Sequence, residues 1–160
     1  TEGGAGAEVA SNLYTTTYEN ALTLHRWRFA SAKADLGRLT ATPLNEWTYA
    51  YQLPSGYLTT IKLYPNTEYE LYEDKLYANA STLSMDYLFK PDESKLPPYF
   101  VKLMEYALAS EFAVPVTSNR SLGELYSAFF EQQLRRAKFI DSQARPPSEI
   151  VDSPFTEVRQ

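Results

Sequence analysis

Trp47-Thr48-Tyr49-Ala50-Tyr51-Gln52-Leu53-Pro54-Ser55-Gly56-Tyr57-Leu58-Thr59-Thr60-Ile61-Lys62-Leu63-Tyr64-Pro65-Asn66 is the stretch that decides the fold. Trp47, Tyr49, Tyr51 and Leu53 alternate with polar or small residues, the two-residue period of a strand with one covered face. Pro54-Ser55-Gly56 supplies a turn, because proline presets φ and glycine admits positive φ. Leu58, Ile61 and Leu63 carry the apolar set on to Tyr64, where Pro65-Asn66 closes it. Further along, Glu68 to Tyr72 and Lys75 to Ala78 flank Glu73-Asp74 as a hairpin. Leu83 to Phe89 adds another strand before Lys90-Pro91. The block from Trp47 to Phe89 predicts four or five short strands, joined by tight turns, in one small antiparallel sheet.

The flanks read differently. From Ala7 to Leu36, Val9, Leu13, Tyr14, Tyr18, Ala21, Leu22, Trp27, Phe29, Ala30 and Ala34 recur at spacings of three and four, predicting a helix that Gly37 terminates. Arg26-Trp27-Arg28 interrupts the stripe, so a break near His25 is compatible with it. Thr1 to Gly6 reads as a flexible glycine-rich stub. A chain that begins at Thr1 and not Met also suggests a trimmed N-terminus. After the strands, a helix is expected over 97–112, with Pro97-Pro98 at its start, where a missing N–H costs nothing, and Pro115 as its stop. Val101, Leu103, Met104, Ala107, Leu108 and Phe112 mark its apolar face. A last helix is expected over 119–141, opened by Asn119 or by a Ser121–Glu124 capping box. Leu122, Leu125, Tyr126, Phe129, Ala137 and Ile140 form its stripe, and Arg135, Arg136 and Lys138 suit the negative end of its dipole. The reading is α+β: an antiparallel helical bundle with a small inserted antiparallel sheet over residues 1–143. Residues 144–160 follow as an extended C-terminal arm. That arm holds Pro146, Pro147 and Pro154 and too few apolar residues to fold alone. Ile150, Val151 and Phe155 are its candidate anchors on another chain.

Composition narrows the chemistry. The 160 residues fit one domain with a real core. No cysteine and a single histidine, His25, leave no thiolate nucleophile, no disulfide framework and no histidine- or cysteine-built metal site. No apolar run approaches a membrane span, and no signal-peptide core is present. Net charge is −5, and the acidic excess is local. Between Thr40 and Lys95 four lysines meet eight acids, Glu46, Glu68, Glu70, Glu73, Asp74, Asp86, Asp92 and Glu93. That balance argues against a dedicated nucleic-acid reader. No phosphate-cradling loop, dinucleotide fingerprint or nucleophile elbow occurs. Of the carboxylates, Glu68 and Glu70 share a strand face, and a hydrolase built on them is one reading. Edge protection against strand aggregation is the plainer one. Thirteen tyrosines exceed what a core of this size takes in, which favours a large protein–protein surface.

Four pieces recur together in one family. They are Trp27-Arg28-Phe29-Ala30 followed by Ala32, Ala34 and Leu36, and Trp47 to Pro54 followed by Tyr57-Leu58. Next come Pro97-Pro98-Tyr99-Phe100 with Ala107-Leu108-Ala109-Ser110-Glu111-Phe112-Ala113 running into Pro115-Val116-Thr117. The last is the helix ending Arg135-Arg136-Ala137-Lys138-Phe139-Ile140-Asp141-Ser142-Gln143. In order and spacing, over roughly Tyr14 to Gln143, the chain resembles the tail tubular protein A family, the head-to-tail adaptors of short-tailed bacteriophages. Members usually place a further short helix and turn before the long helix, where this chain has only its glycine-rich stub.

The resemblance implies a virion structural protein without catalytic residues or cofactors. It would form a homo-oligomeric ring, a dodecamer, beneath the portal protein. The ring would carry the tail nozzle protein and extend the channel through which genomic DNA passes non-specifically. Its place is the virion tail at the portal vertex, and the host cytoplasm before assembly. In this reading Ile150, Val151 and Phe155 meet the portal, and Arg135, Arg136 and Lys138 meet acids of a neighbouring subunit. A ring interface needs two different patches per subunit. The other reading of the same residues is a small soluble α+β protein-binding module with no ring.

Overall fold

Trp27 lies just beyond the end of the first helix. The computed structural model describes residues 2–143, and in it helix α1 spans Glu2–Thr23. The glycine-rich start is therefore helical backbone and not a stub; the alanines and glutamates among its glycines are strong helix formers. At the other end the helix stops well short of Leu36. Trp27 is fully buried, and its indole Nε1 donates to the Ala21 carbonyl at 2.9 Å, a second bond to a last-turn carbonyl that Leu24 N reaches at 3.4 Å. The chain then makes a short 3₁₀ turn, Arg28–Ala30, and enters strand β1, Ser31–Asp35. Ala30 and Ala34 are spaced four and Ala32 and Ala34 two, so a helical and an alternating period can both be read here. An available partner strand decides between them, since Ser31 to Asp35 pair antiparallel with Leu88 to Ser84. Gly37 accordingly ends no helix. It lies where the chain crosses from one sheet to another, its carbonyl accepting from Gln52 N at 3.0 Å.

The strand block forms two sheets where one was expected. The strands are β2 (Tyr49–Gln52), β3 (Tyr57–Tyr64), β4 (Tyr69–Tyr72), β5 (Lys75–Ala78) and β6 (Ser84–Phe89). Sheet one runs β1-β6-β3 and sheet two β2-β5-β4, both antiparallel. The Pro54–Gly56 turn is as expected, with Gly56 at φ +72 and Tyr57 N bonding the Pro54 carbonyl at 3.2 Å. Its two strands, however, diverge into different sheets. The Glu73-Asp74 hairpin joins β4 to β5 in the expected place.

Helix α2 spans Pro98–Thr117 and α3 spans Arg120–Gln143. Pro115 does not stop α2, because a proline removes only its own N–H and the helix ends two residues later. Ser118, at φ 53, then turns the chain. Asn119 opens α3, its side-chain oxygen accepting from Leu122 N at 3.1 Å. Ser121 lies inside the helix, and Glu124 pairs with Arg120 at 3.3 Å, so no capping box forms there.

These elements stack in three layers. Tyr18, Leu22, Trp27, Phe100, Leu103 and Leu134 form a core between the helices and one face of sheet one, where Leu88, Leu58 and Ile61 meet them. The opposite face of sheet one, Leu63, Met85 and Tyr87, packs on Tyr51, Leu76 and Ala78 of sheet two. Sheet one is thus the central layer. Full burial of each large side chain contributes about 2–3 kcal/mol. The fold is α+β.

Candidate functional site

Helix α3 carries two faces, and the residues expected to form one apolar stripe divide between them. Phe130, Leu134, Ala137 and Asp141, spaced four, three and four, turn inward. Leu125, Phe129, Gln132, Arg136 and Phe139, spaced four, three, four and three, lie on the opposite side of the cylinder. There Leu125 is 48% exposed, Phe129 38% and Phe139 63%. Leu125 and Phe129 are therefore surface residues, not core. Phe129 leans on Tyr106 of α2, with ring centroids 5.6 Å apart. A shallow cleft of about 160 Å³ between Phe129, Tyr106, Gln132, Gln133 and Arg136 indents this outer seam. Its spacing is that of knobs offered to another helix.

Arg135 and Arg136 are exposed and Lys138 is half-buried. Because α3 runs on to Gln143, all three lie before its last turn, which holds no basic residue. The expected dipole pairing is thus lost, since that effect fades beyond one turn. None of the three has an ion-pair partner among the described residues. Ile150, Val151 and Phe155 lie outside the described residues.

The inner seam ends in a carboxylate. Asp141 is 1% exposed, the one buried charged residue among the described residues. Its Oδ1 accepts from Tyr99 Oη at 2.8 Å and from the Arg28 backbone N–H at 3.2 Å; its Oδ2 accepts from the same N–H at 3.1 Å. Arg28 Nε donates to the Asp141 carbonyl at 3.1 Å. One side chain thus ties α3 to the start of α2 and to the turn after α1. Burial, and then the bond to Asp141, push the Tyr99 phenol well above its ordinary range. Nothing in the sequence reading singled out Asp141 or Tyr99. The available signal was position: Asp141 falls four residues after Ala137, in the register of the core.

His25 is in the loop between α1 and the 3₁₀ turn, outside any helix, stacked edge-on against Trp27 at 4.9 Å. Its Nε2 is 3.6 Å from Asp141 Oδ2. Burial lowers its pKa, Asp141 opposes, and Lys138 and Arg28 add to the lowering. The imidazole is therefore neutral at pH 7, and the contact is not an ion pair there.

Glu68 and Glu70 have different surroundings. Glu70 Oε2 accepts from Trp47 Nε1 at 2.9 Å and from Tyr72 Oη at 2.8 Å, and these bonds hold its pKa below the usual carboxylate range. That suits a fixed anion and not a proton donor. Glu68 precedes β4 and shares neither bond. A cleft of about 370 Å³ between α1, α2 and α3 is lined by Thr16, Thr17, Ser110, Ser127, Glu111 and Glu131, without a histidine or lysine. Among the described residues no three histidine, aspartate or glutamate side chains gather to hold a metal ion, and no helix is long and apolar enough to cross a membrane. The arrangement offers surfaces, chiefly the outer seam of α3. No family model matches the chain, and no curated protein does.

Proposed function

We propose that this chain is a virion structural protein, a head-to-tail adaptor whose ring joins the portal to the tail nozzle and forms part of the DNA ejection channel. The observation that carries the reading is the outer seam of α3, where Leu125, Phe129 and Phe139 stay exposed at knob spacing on a helix whose other face is already buried. A helix apolar on two sides needs a second partner. In a ring that partner is the next subunit, with Arg135 and Arg136 at the border of the contact. The resemblance to tail tubular protein A adaptors supports the same reading. So does the acidic strand region, because an acidic wall lets DNA slide where lysines and arginines would grip phosphates. The three helices serve as the antiparallel bundle of the adaptor, and residues 144–160 serve as the arm that reaches the portal through Ile150, Val151 and Phe155.

Native mass spectrometry of the chain alone and with portal particles tests this. The expected result is a ring, or a monomer that becomes one on the portal. The Phe129→Asp variant is expected to abolish the ring while keeping the helical circular dichroism spectrum. A chain that stays monomeric and indifferent to portal overturns the proposal and leaves a small binding module.

A further inference from the structure

Sheet two has two edges, and they are treated differently. Along β2 the chain covers itself: Leu39 N bonds the Ala50 carbonyl at 2.8 Å, and Arg38 bridges to Tyr51. Beyond β4 no strand pairs among the described residues, so the outer edge of Tyr69–Tyr72 is open there. An open edge is a template for another strand unless something blunts it. On β4 Tyr69, Leu71 and Tyr72 are exposed, at 39%, 41% and 55%. The charges beside them are Glu68, Glu70, Glu73 and Asp74. Lys75, the basic residue of this hairpin, is 3.9 Å from Glu73. Such an edge repels an acidic strand and attracts a basic one.

Next to the edge, on the face of sheet two turned away from the core, is a cavity of about 180 Å³. Trp47, Tyr72, Tyr77, Leu44, Glu46 and Glu70 line it, with no lysine or arginine. Tyr72 and Tyr77 meet edge to face at 5.6 Å. Trp47 Nε1 and Tyr72 Oη both bond Glu70 Oε2, which fixes the rings around the carboxylate and leaves Oε1 without a partner among the described residues. Glu70 lies directly across from Tyr77 of β5. On the open side, a residue of an added strand would stand opposite Glu70 at cross-strand distance. Aromatic faces around a fixed carboxylate are the chemistry that holds a guanidinium, which stacks on rings and forks onto a carboxylate.

We propose that the open edge of β4 takes an extended segment of a protein partner by strand addition, and that an arginine of that segment seats among Trp47, Tyr72, Tyr77 and Glu70. The site does not depend on ring formation. Isothermal titration calorimetry on the full chain tests it with the capped peptide Thr-Val-Thr-Arg-Thr-Val-Thr. Controls are the same peptide with citrulline for arginine, and arginine amide alone. The arginine peptide is expected to bind, and the citrulline peptide to bind about tenfold more weakly. Glu70→Gln and Trp47→Ala are each expected to weaken the arginine peptide by about tenfold as well, with an unchanged circular dichroism spectrum. Equal binding of the arginine and citrulline peptides, or none, overturns the arginine site. Arginine amide binding as well as the peptide overturns strand addition. Weakening by Trp47→Ala alone also counts against the proposal, since it removes the carboxylate from the recognition.

Discussion

Asp141 and Glu70 each gather a tyrosine hydroxyl and an N–H onto one carboxylate, yet one is buried and the other lies at the rim of a sheet. Asp141 takes Tyr99 Oη and the Arg28 amide and is buried. Glu70 takes Tyr72 Oη and the Trp47 indole and opens onto solvent at a strand edge left unpaired among the described residues. In the first case the carboxylate itself is shut away from water and its charge depends on these donors, so the bonds stabilise the fold. In the second, water can satisfy all the same donors, so the bonds contribute little to folding and serve to fix side-chain geometry. Similar hydrogen bonds carry structure where water is excluded and recognition where it is not.

Truncating the two carboxylates separates these roles most widely. Asp141→Ala removes the acceptor that holds the Arg28 amide and the Tyr99 hydroxyl and empties a fully buried site, and is expected to cost about 3 kcal/mol, read as a lower urea midpoint with an unchanged slope. Glu70→Ala is expected to unfold at the wild-type midpoint. Equal losses at the two sites would mean that Glu70 also supports the fold, and that the division drawn between them is wrong.

Removing the hydroxyls sharpens the same contrast on a smaller scale. Tyr99→Phe deletes one donor to a buried carboxylate and is expected to cost about 1.5 kcal/mol. Tyr72→Phe is expected to leave the urea midpoint where it was, while loosening the ring that faces Trp47. A chemical-denaturation series on the two variants checks both. A destabilised Tyr72→Phe would show that sheet two draws stability from its outer face.

Much of the fold was legible in the sequence, and the gaps have physical causes. The strands from Tyr49 to Phe89, the hairpin at Glu73-Asp74 and the two later helices follow from period and turn chemistry, which act locally. β1 was not legible, because Ser31-Ala32-Lys33-Ala34-Asp35 has no strong strand formers, and only its pairing with the distant β6 makes it extended. The split into two sheets was hidden for the same reason. Alternation shows that a strand has a covered face, but not which layer covers it. On α3 the apolar residues were visible, but Leu125 and Phe129 belong to a different side of the cylinder from Leu134 and Ala137. The Trp47–Glu70 contact joins residues far apart in sequence, and no spacing announces it.

The smallest expected effect concerns His25, which lines the closed carboxylate and has no counterpart at the open one. Burial holds its folded pKa below 6.5, helped by Lys138 and Arg28 and opposed by Asp141. The unfolded chain therefore binds the proton more readily than the folded one. Its contribution is fully present above about pH 6.5, falls as pH drops from there through the folded pKa, and is constant below it. His25→Gln is expected to remove that slope, with little change at pH 7.5. Urea midpoints of wild type and variant at a series of pH values measure it. Stability that instead rises as pH falls through the histidine range would mean that the 3.6 Å approach to Asp141 outweighs burial. The inner carboxylate would then attract a cation much as the outer one is proposed to do.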